Sequence, residues 1–216
     1  GNTGSSIDKL TTKTYTVTVS DTNNCSVSES IKPDVTVPSP SIGAVTVIES
    51  PALFNVVGWE KTNVDYIDHY NIYKFNDDNL KWEKLGFKPY KKISTFVDST
   101  SMPNTKPERY RISAVDSCGN ESSLSLAHRT ILVTTTKEYN SNTISLQWNN
   151  YEGINPDTMR YAIFRGTDAN NLTEIGKITS LGEQYLSYKD NPPYGNQYYY
   201  RVAFILPDSC VPTGED

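Results

Sequence analysis

The residues of this 216-residue chain with the greatest intrinsic reactivity are three cysteines, Cys25, Cys118 and Cys210, and two histidines, His69 and His128. A thiol acts as a nucleophile only with a base in hydrogen-bond reach. Cys118 lies in DSCGN, a run suited to a hairpin connection because Gly119 supplies a permissive backbone. If residues 119–128 run on as a strand at ~3.3 Å per residue, Cys118 and His128 end up to roughly 30 Å apart and form no dyad. His69 has no matching cysteine or carboxylate motif and reads as a surface or packing residue. An odd number of thiols excludes a complete disulfide framework.

Other chemistries are weaker still. Asn76-Asp77-Asp78-Asn79 offers the oxygen ligands that calcium takes, yet it stands between two strand-like runs, where Asn and Asp are ordinary turn residues. There is no HExxH, no paired CxxC and no glycine-rich phosphate loop. Glu60 and Glu152 follow Trp59 and Trp148 at different offsets, which speaks against a shared role. Asn24, Asn120 and Asn171 begin N-x-S/T sequons at a frequency close to chance for an asparagine-rich chain. The sequence therefore predicts no catalytic residue, no metal ligand and no cofactor. Trp82, Phe87 and Tyr90 are the ligand-binding candidates, because aromatic faces on an exposed sheet stack on sugars or anchor a partner protein. The competing reading is that Trp82 and Leu80 pack across the sheet.

A net charge of −5 disfavours nucleic acid as a partner. No run approaches the ~18 apolar residues of a membrane-spanning helix. The chain opens at Gly1 without an initiator Met or a signal peptide, so it is expected to be a processed or excised piece of a longer protein.

The elements that must position these residues are strands. YTVTV (15–19), GAVTVI (43–48), FNVVGW (54–59), YNIYKF (70–75), RYRISAV (109–115), TISLQW (143–148), RYAIFR (160–165) and YYRVAF (199–204) alternate with period two and are separated by Asn, Asp, Gly and Pro clusters. They also repeat. Trp59 matches Trp148, YNIYK at 70 matches YAIFR at 161, Leu85-Gly86 matches Ile175-Gly176, Asp98 matches Asp190 and Tyr110 matches Tyr200, at offsets of 89 to 92. Tyr15 and Cys25 echo Tyr200 and Cys210, and the cysteines are 93 and 92 residues apart (118 − 25, 210 − 118). Each thiol is thus expected in the same hairpin of three successive modules. Modules repeating every ~30–40 Å put the sulfurs beyond disulfide reach, unless the N-terminal hairpin folds back beside Cys118.

A Trp on the second strand, YxIY on the third and a Tyr opening YRISAV resemble fibronectin type III modules across about 40–216. YRISAVDSCGNES followed by YAIFRGTDANNLTEIG looks like modules of large secreted and surface proteins of Bacteroidota. YTVTVSDTNNCSVSESI resembles the closing hairpin of an immunoglobulin-like, PKD-type domain. The resemblance implies an extracellular or cell-surface setting and an all-β fold of two tandem immunoglobulin-like (fibronectin type III) β-sandwiches. It divides the chain into a hairpin remnant plus linker (1–38), a first module (39–130) and a second module (131–216) whose last strand is short or missing. Tyr110, Ile112 and Ala114 share an inward face, as do Tyr200, Val202 and Phe204, with Trp59 and Trp148 between the sheets. Tyr110 and Tyr200 stand where such sandwiches place a tyrosine corner, whose hydroxyl bonds back to the chain upstream. No acid–base partner is expected to recur beside both.

IKPDVTVPSPSIG reads as an extended, semi-stiff linker, whereas HRTILVTTTKEY lets the last strand of the first module pass directly into the second, with the seam near 130. The implied function is a non-catalytic spacer or interaction unit whose partners are the neighbouring domains of its parent protein. The alternatives are an adhesin or carbohydrate-binding module that takes a protein or glycan ligand near Trp82, and an accessory part of an enzyme whose catalytic domain lies elsewhere. Open sheet edges also allow self-association, in which an edge is covered within the chain or by another copy.

Overall fold

The computed structural model describes residues 10, 13–32, 36–48, 53–154, 159–207 and 210–215. Pro33 of the linker lies outside them. Among the described residues, fifteen strands carry the structure: β1 (Tyr15–Ser20), β2 (Ser26–Ile31), β3 (Ile42–Ile48), β4 (Phe54–Trp59), β5 (Ile67–Asn76), β6 (Lys81–Pro89), β7 (Thr95–Asp98), β8 (Arg109–Asp116), β9 (His128–Arg129), β10 (Val133–Lys137), β11 (Ile144–Asn149), β12 (Arg160–Asp168), β13 (Asn171–Thr179), β14 (Tyr185–Asp190) and β15 (Tyr199–Ile205). Among the described residues no helix is long and apolar enough to cross a membrane.

The fold is all-β, with two tandem immunoglobulin-like sandwiches. In the first, β3-β4-β7 faces β6-β5-β8-β9; in the second, β10-β11-β14 faces β13-β12-β15. Each closes over its own core. Trp59, Tyr70, Ile72, Tyr110 and Ile112 fill one, and Trp148, Tyr161, Ile163 and Leu146 fill the other, all at most 1 % exposed. Trp59 meets Tyr70 edge-on at 5.4 Å and Trp148 meets Tyr161 at 5.9 Å, so the repeated Trp–Tyr pairs are the repeated core contact. Both indole N–H groups are buried without a hydrogen-bond partner, a cost of about 1–3 kcal/mol each that burial of the large rings offsets.

The Leu85-Gly86 landmark has a packing cause. A β-bulge lies between Ile72 and Tyr73 opposite this pair, and a Cβ on Gly86 would come within 2.8 Å of the Phe96 ring. In the second sandwich a Cβ on Gly176 would meet Tyr188 at the same distance. Glycine leaves room for an aromatic side chain from the opposite sheet at both sites.

The last strand of the first sandwich is short. Ser122 and Ser125 donate their N–H groups to the Ala114 and Ile112 carbonyls, but their hydroxyls accept the Ala114 and Ile112 N–H groups in place of backbone oxygens. Serine side chains compete with the ladder here, and regular pairing is confined to Arg109–Arg129 and Tyr110–His128. The chain does not pass unbroken into the next sandwich. Thr130 still donates its N–H to the Glu108 carbonyl, but residues 131 and 132 leave the ladder, and Asn149 holds the chain there, accepting from the Leu132 N–H and donating to the Thr130 carbonyl.

β15 pairs only with β12 among the described residues. After it, the chain turns back onto the first sandwich. Thr213 and Ser94 exchange N–H···O bonds through the Ser94 hydroxyl and the Thr213 carbonyl, both at 3.0 Å. The Ile93 N–H donates to the Glu215 carbonyl and the Glu215 N–H to the Lys91 carbonyl. Cys210 presses on Gly43, and Pro212 lies against Gly58, where no side chain stands in the way. The expectation that Cys210 occupies a hairpin of the second sandwich is therefore corrected: it lies in a strap across the first. Cys25 and Cys118 do sit in hairpin turns, each opened by an aspartate (Asp21, Asp116) whose side chain accepts two backbone N–H groups. All three thiols are free.

Candidate functional site

Three groups of polar side chains could do chemistry. The first lies at one pole of each sandwich. Tyr110 is fully buried, and its hydroxyl donates to Asp98 Oδ2 at 2.7 Å. Lys74 Nζ bridges Asp98 and Glu108, and Asn55 Nδ2 donates to Glu108 Oε2 and to the Tyr110 hydroxyl. The Thr100 N–H and hydroxyl complete the shell of Asp98. Burial opposes the Asp98 charge, but Lys74, Thr100 and Tyr110 outweigh it and hold the carboxyl below its ordinary value. Burial pushes the Tyr110 phenol far above its ordinary range.

The second sandwich repeats the device. Arg165 Nη1 grips both oxygens of Asp190 at 2.8 and 2.9 Å, and the Tyr200 hydroxyl donates to Oδ2 at 2.7 Å. Tyr198 stands where the repeat places Glu108 (198 − 108 = 90), and the Arg165 guanidinium lies 5.3 Å from its ring centroid. A cation–π contact thus replaces one ion pair. Two expectations are corrected. A partner does recur beside both tyrosines, namely the aspartate ten or twelve residues upstream. The corner bond goes to that side chain, because a strand-end aspartate of the facing sheet reaches the hydroxyl. The first cluster is closed by packing, the second is partly open to solvent, and both serve as latches between the two sheets.

The second group covers the outer face of β5, β6 and β8. Glu121 accepts from Asn71 Nδ2 at 2.9 Å, from the Tyr73 hydroxyl at 2.6 Å and from the Ser113 hydroxyl. Despite some desolvation, these donors keep its carboxyl below the ordinary value. Trp82 is half-buried, with the Phe75 ring 5.2 Å away and the Arg111 guanidinium 4.6 Å from its centroid. Phe87 is 59 % exposed and meets His69 edge-on at 5.4 Å. Tyr90 belongs elsewhere. It stacks on Tyr70 at 6.1 Å, and its hydroxyl donates to the Thr62 carbonyl. Trp82, Phe87 and Tyr90 are therefore not one platform. Trp82 is already stacked upon, Tyr90 packs against the core, and Phe87 alone of the three presents an open ring. The Asn76–Asn79 run forms the β5–β6 turn, with Asn76 Oδ1 accepting the Asp78 N–H and both Asn76 and Asn79 donating to Glu83.

The third group joins the two sandwiches, and sequence reasoning missed it. Glu152 accepts from Arg109 Nε at 2.8 Å and Nη2 at 3.0 Å, and from Arg129 Nη1 at 3.1 Å. The Tyr151 hydroxyl lies 2.9 Å from His128 Nδ1 and accepts the Val45 N–H, also at 2.9 Å. His128 is 3 % exposed, and Gly153 packs against its ring so closely that any side chain there would clash. Burial lowers the His128 pKa to about 4. Offset arithmetic between the two tryptophans could not find Glu152, because its partners are arginines of the other sandwich.

These observations define a tandem of immunoglobulin-like β-sandwiches with a bonded joint. No protein-family model and no curated protein matches the chain. Among solved structures, the chicken interferon gamma receptor alpha chain is similar at 10% identity and a TM-score of 0.31, covering 78% of this chain and 91% of that one. The FN1–FN3 domains of chicken CNTN1 are similar at 14% identity and a TM-score of 0.36, covering 88% and 71%.

Proposed function

We propose that the chain is a non-catalytic spacer and interaction unit of a larger secreted or cell-surface protein of the Bacteroidota type, with β1–β2 as the closing hairpin of a preceding PKD-type domain. The observation that carries this reading is the joint. Two arginines, a histidine and a backbone amide of the first sandwich are tied to Tyr151 and Glu152 of the second, and the strap at 210–215 ties them again. Every polar cluster described above is spent on holding β-elements together. Such an assembly keeps its two ends at a fixed separation and direction. Spin labels placed at two exposed sites, one on each sandwich, test this. The native chain is expected to give a narrow distance distribution that broadens in Glu152→Ala/Tyr151→Phe. A native distribution as broad as that of the double variant would sink the reading.

A second reading, an adhesin or carbohydrate-binding unit, is favoured by the open Phe87 ring beside His69. A glycan and protein array separates the two. The second reading takes over if one ligand binds and either Phe87→Ala or Trp82→Ala abolishes it.

A further inference from the structure

The cluster at the pole of the first sandwich holds more than a latch needs. Strand register makes the two sandwiches comparable residue by residue. Asn55 lies opposite Asp98, as Ile144 lies opposite Asp190. Lys74 lies opposite Tyr110, as Arg165 lies opposite Tyr200. Glu108 and Tyr198 each stand two residues before the tyrosine. An aspartate, a tyrosine and a cation therefore suffice to join the sheets, as the second sandwich shows. At the same positions the first sandwich adds a primary amine, a carboxamide and a second carboxylate. Asn55 is fully buried, and its Oδ1 has no hydrogen-bond partner. Ile144 occupies the equivalent place at no such cost, so packing does not account for an asparagine here.

Glu108 stands between the other two groups. Its Oε1 is 2.5 Å from Lys74 Nζ, and its Oε2 accepts from Asn55 Nδ2 at 2.8 Å. The two nitrogens are thus held on the two oxygens of one buried carboxylate. Asp98 and Tyr110 close a ring on the other side. Asp98 Oδ2 accepts from Nζ at 2.8 Å and from the Tyr110 hydroxyl at 2.7 Å, and that hydroxyl accepts from Nδ2 at 3.0 Å. Burial works against the Lys74 charge, but its bonds to Asp98 and Glu108 outweigh this and hold its pKa above the ordinary value. The amine therefore needs a base in place before it can act. Passing its proton to Glu108 leaves a neutral amine and a neutral acid, forms that a desolvated site favours.

We infer that Lys74 and Asn55 join in an intramolecular isopeptide bond, made by the chain itself with Glu108 as the catalytic residue. Glu108 Oε1 takes a proton from the Lys74 ammonium, and the freed lone pair of Nζ forms the new bond to Asn55 Cγ. The Cγ–Nδ2 bond breaks, and its electron pair leaves with the nitrogen. Nζ gives up two protons in all, one through Glu108 to Nδ2 and one with the departing ammonia. An ammonium and a carboxamide thus become a substituted amide and an ammonium ion, with no oxidant or reductant. Asp98 and Tyr110 are positioning residues, and each chain reacts once. The bond ties β4 of one sheet to β5 of the other. It stands apart from the spacer reading, since a cross-link within one sandwich neither requires nor sets the joint.

Intact-mass spectrometry of the denatured chain is the test, with a peptide map to place any change. The native chain is expected to be lighter than its sequence by one ammonia, about 17 Da. It is also expected to resist trypsin at Lys74 and to yield one branched peptide joining Lys74 to Asn55. Lys74→Arg copies the second sandwich and keeps the cation beside Asp98, but a guanidinium does not attack. Glu108→Gln keeps the shape and cannot carry the proton. Both are expected to retain a cooperative thermal transition and to show the full mass. A native chain of full mass overturns the inference. So does a loss of water that maps to Lys74 and Asp98, a loss of ammonia confined to an unbranched peptide, or a branched peptide that persists in Glu108→Gln.

Discussion

Tyr110 and Tyr200 carry their weight through one atom each. The Tyr110 hydroxyl satisfies Asp98 and accepts from Asn55, and without it a buried carboxylate loses a charge-assisted bond. Tyr110→Phe is expected to destabilise the chain by about 1–3 kcal/mol in urea unfolding, and Tyr200→Phe by less, because its latch is partly open to solvent. Since the folded Asp98 carboxyl sits below its ordinary value of 3.8, its contribution is complete above that pH and is lost as pH falls through the folded value. The tyrosines and aspartates were legible in the sequence as repeat landmarks at offsets of 90 and 92. Their bond was not, because spacing within each strand says nothing about which residue of the facing sheet lies opposite. Trp82 shows the same limit: its exposure depended on Arg111, a residue of another strand.

Among the elements, the sheets were the most readable part, since alternation alone marks β1, β3, β4, β5, β8, β11, β12 and β15. The glycine landmark gains a reason only from packing. Gly86→Ala is expected to cost about 1–3 kcal/mol through overpacking against Phe96, and Gly86→Ala/Phe96→Leu to recover most of it; thermal or urea unfolding of the single and double variants measures both. The last strand of the first sandwich was overestimated because Ser122 and Ser125 look like ordinary strand residues until their hydroxyls are seen to take the place of carbonyls. The strap was misread for a related reason. Cys210 follows Tyr200 by the same interval as Cys25 follows Tyr15, yet that interval carries no record of where the backbone goes after Ile205.

At the scale of the whole molecule, the joint makes stability depend on pH. His128 is held neutral between the sandwiches, with its pKa lowered from 6.5 to about 4. The unfolded chain therefore binds more protons between these values, and stability rises with pH through that window. It is expected to fall by about 2 kcal/mol between pH 7 and pH 5 from this residue. Urea midpoints of the native chain and His128→Gln at both pH values check it, and the variant should lose that slope.

The strap has a consequence for how the protein would respond to pulling. Thr213 and Glu215 are fastened at Lys91–Ser94, so a load entering near residue 215 reaches the first sandwich without crossing the second. The second sandwich then hangs slack, sheltered from tension until those few backbone bonds shear, and only after that rupture does it join the line of force.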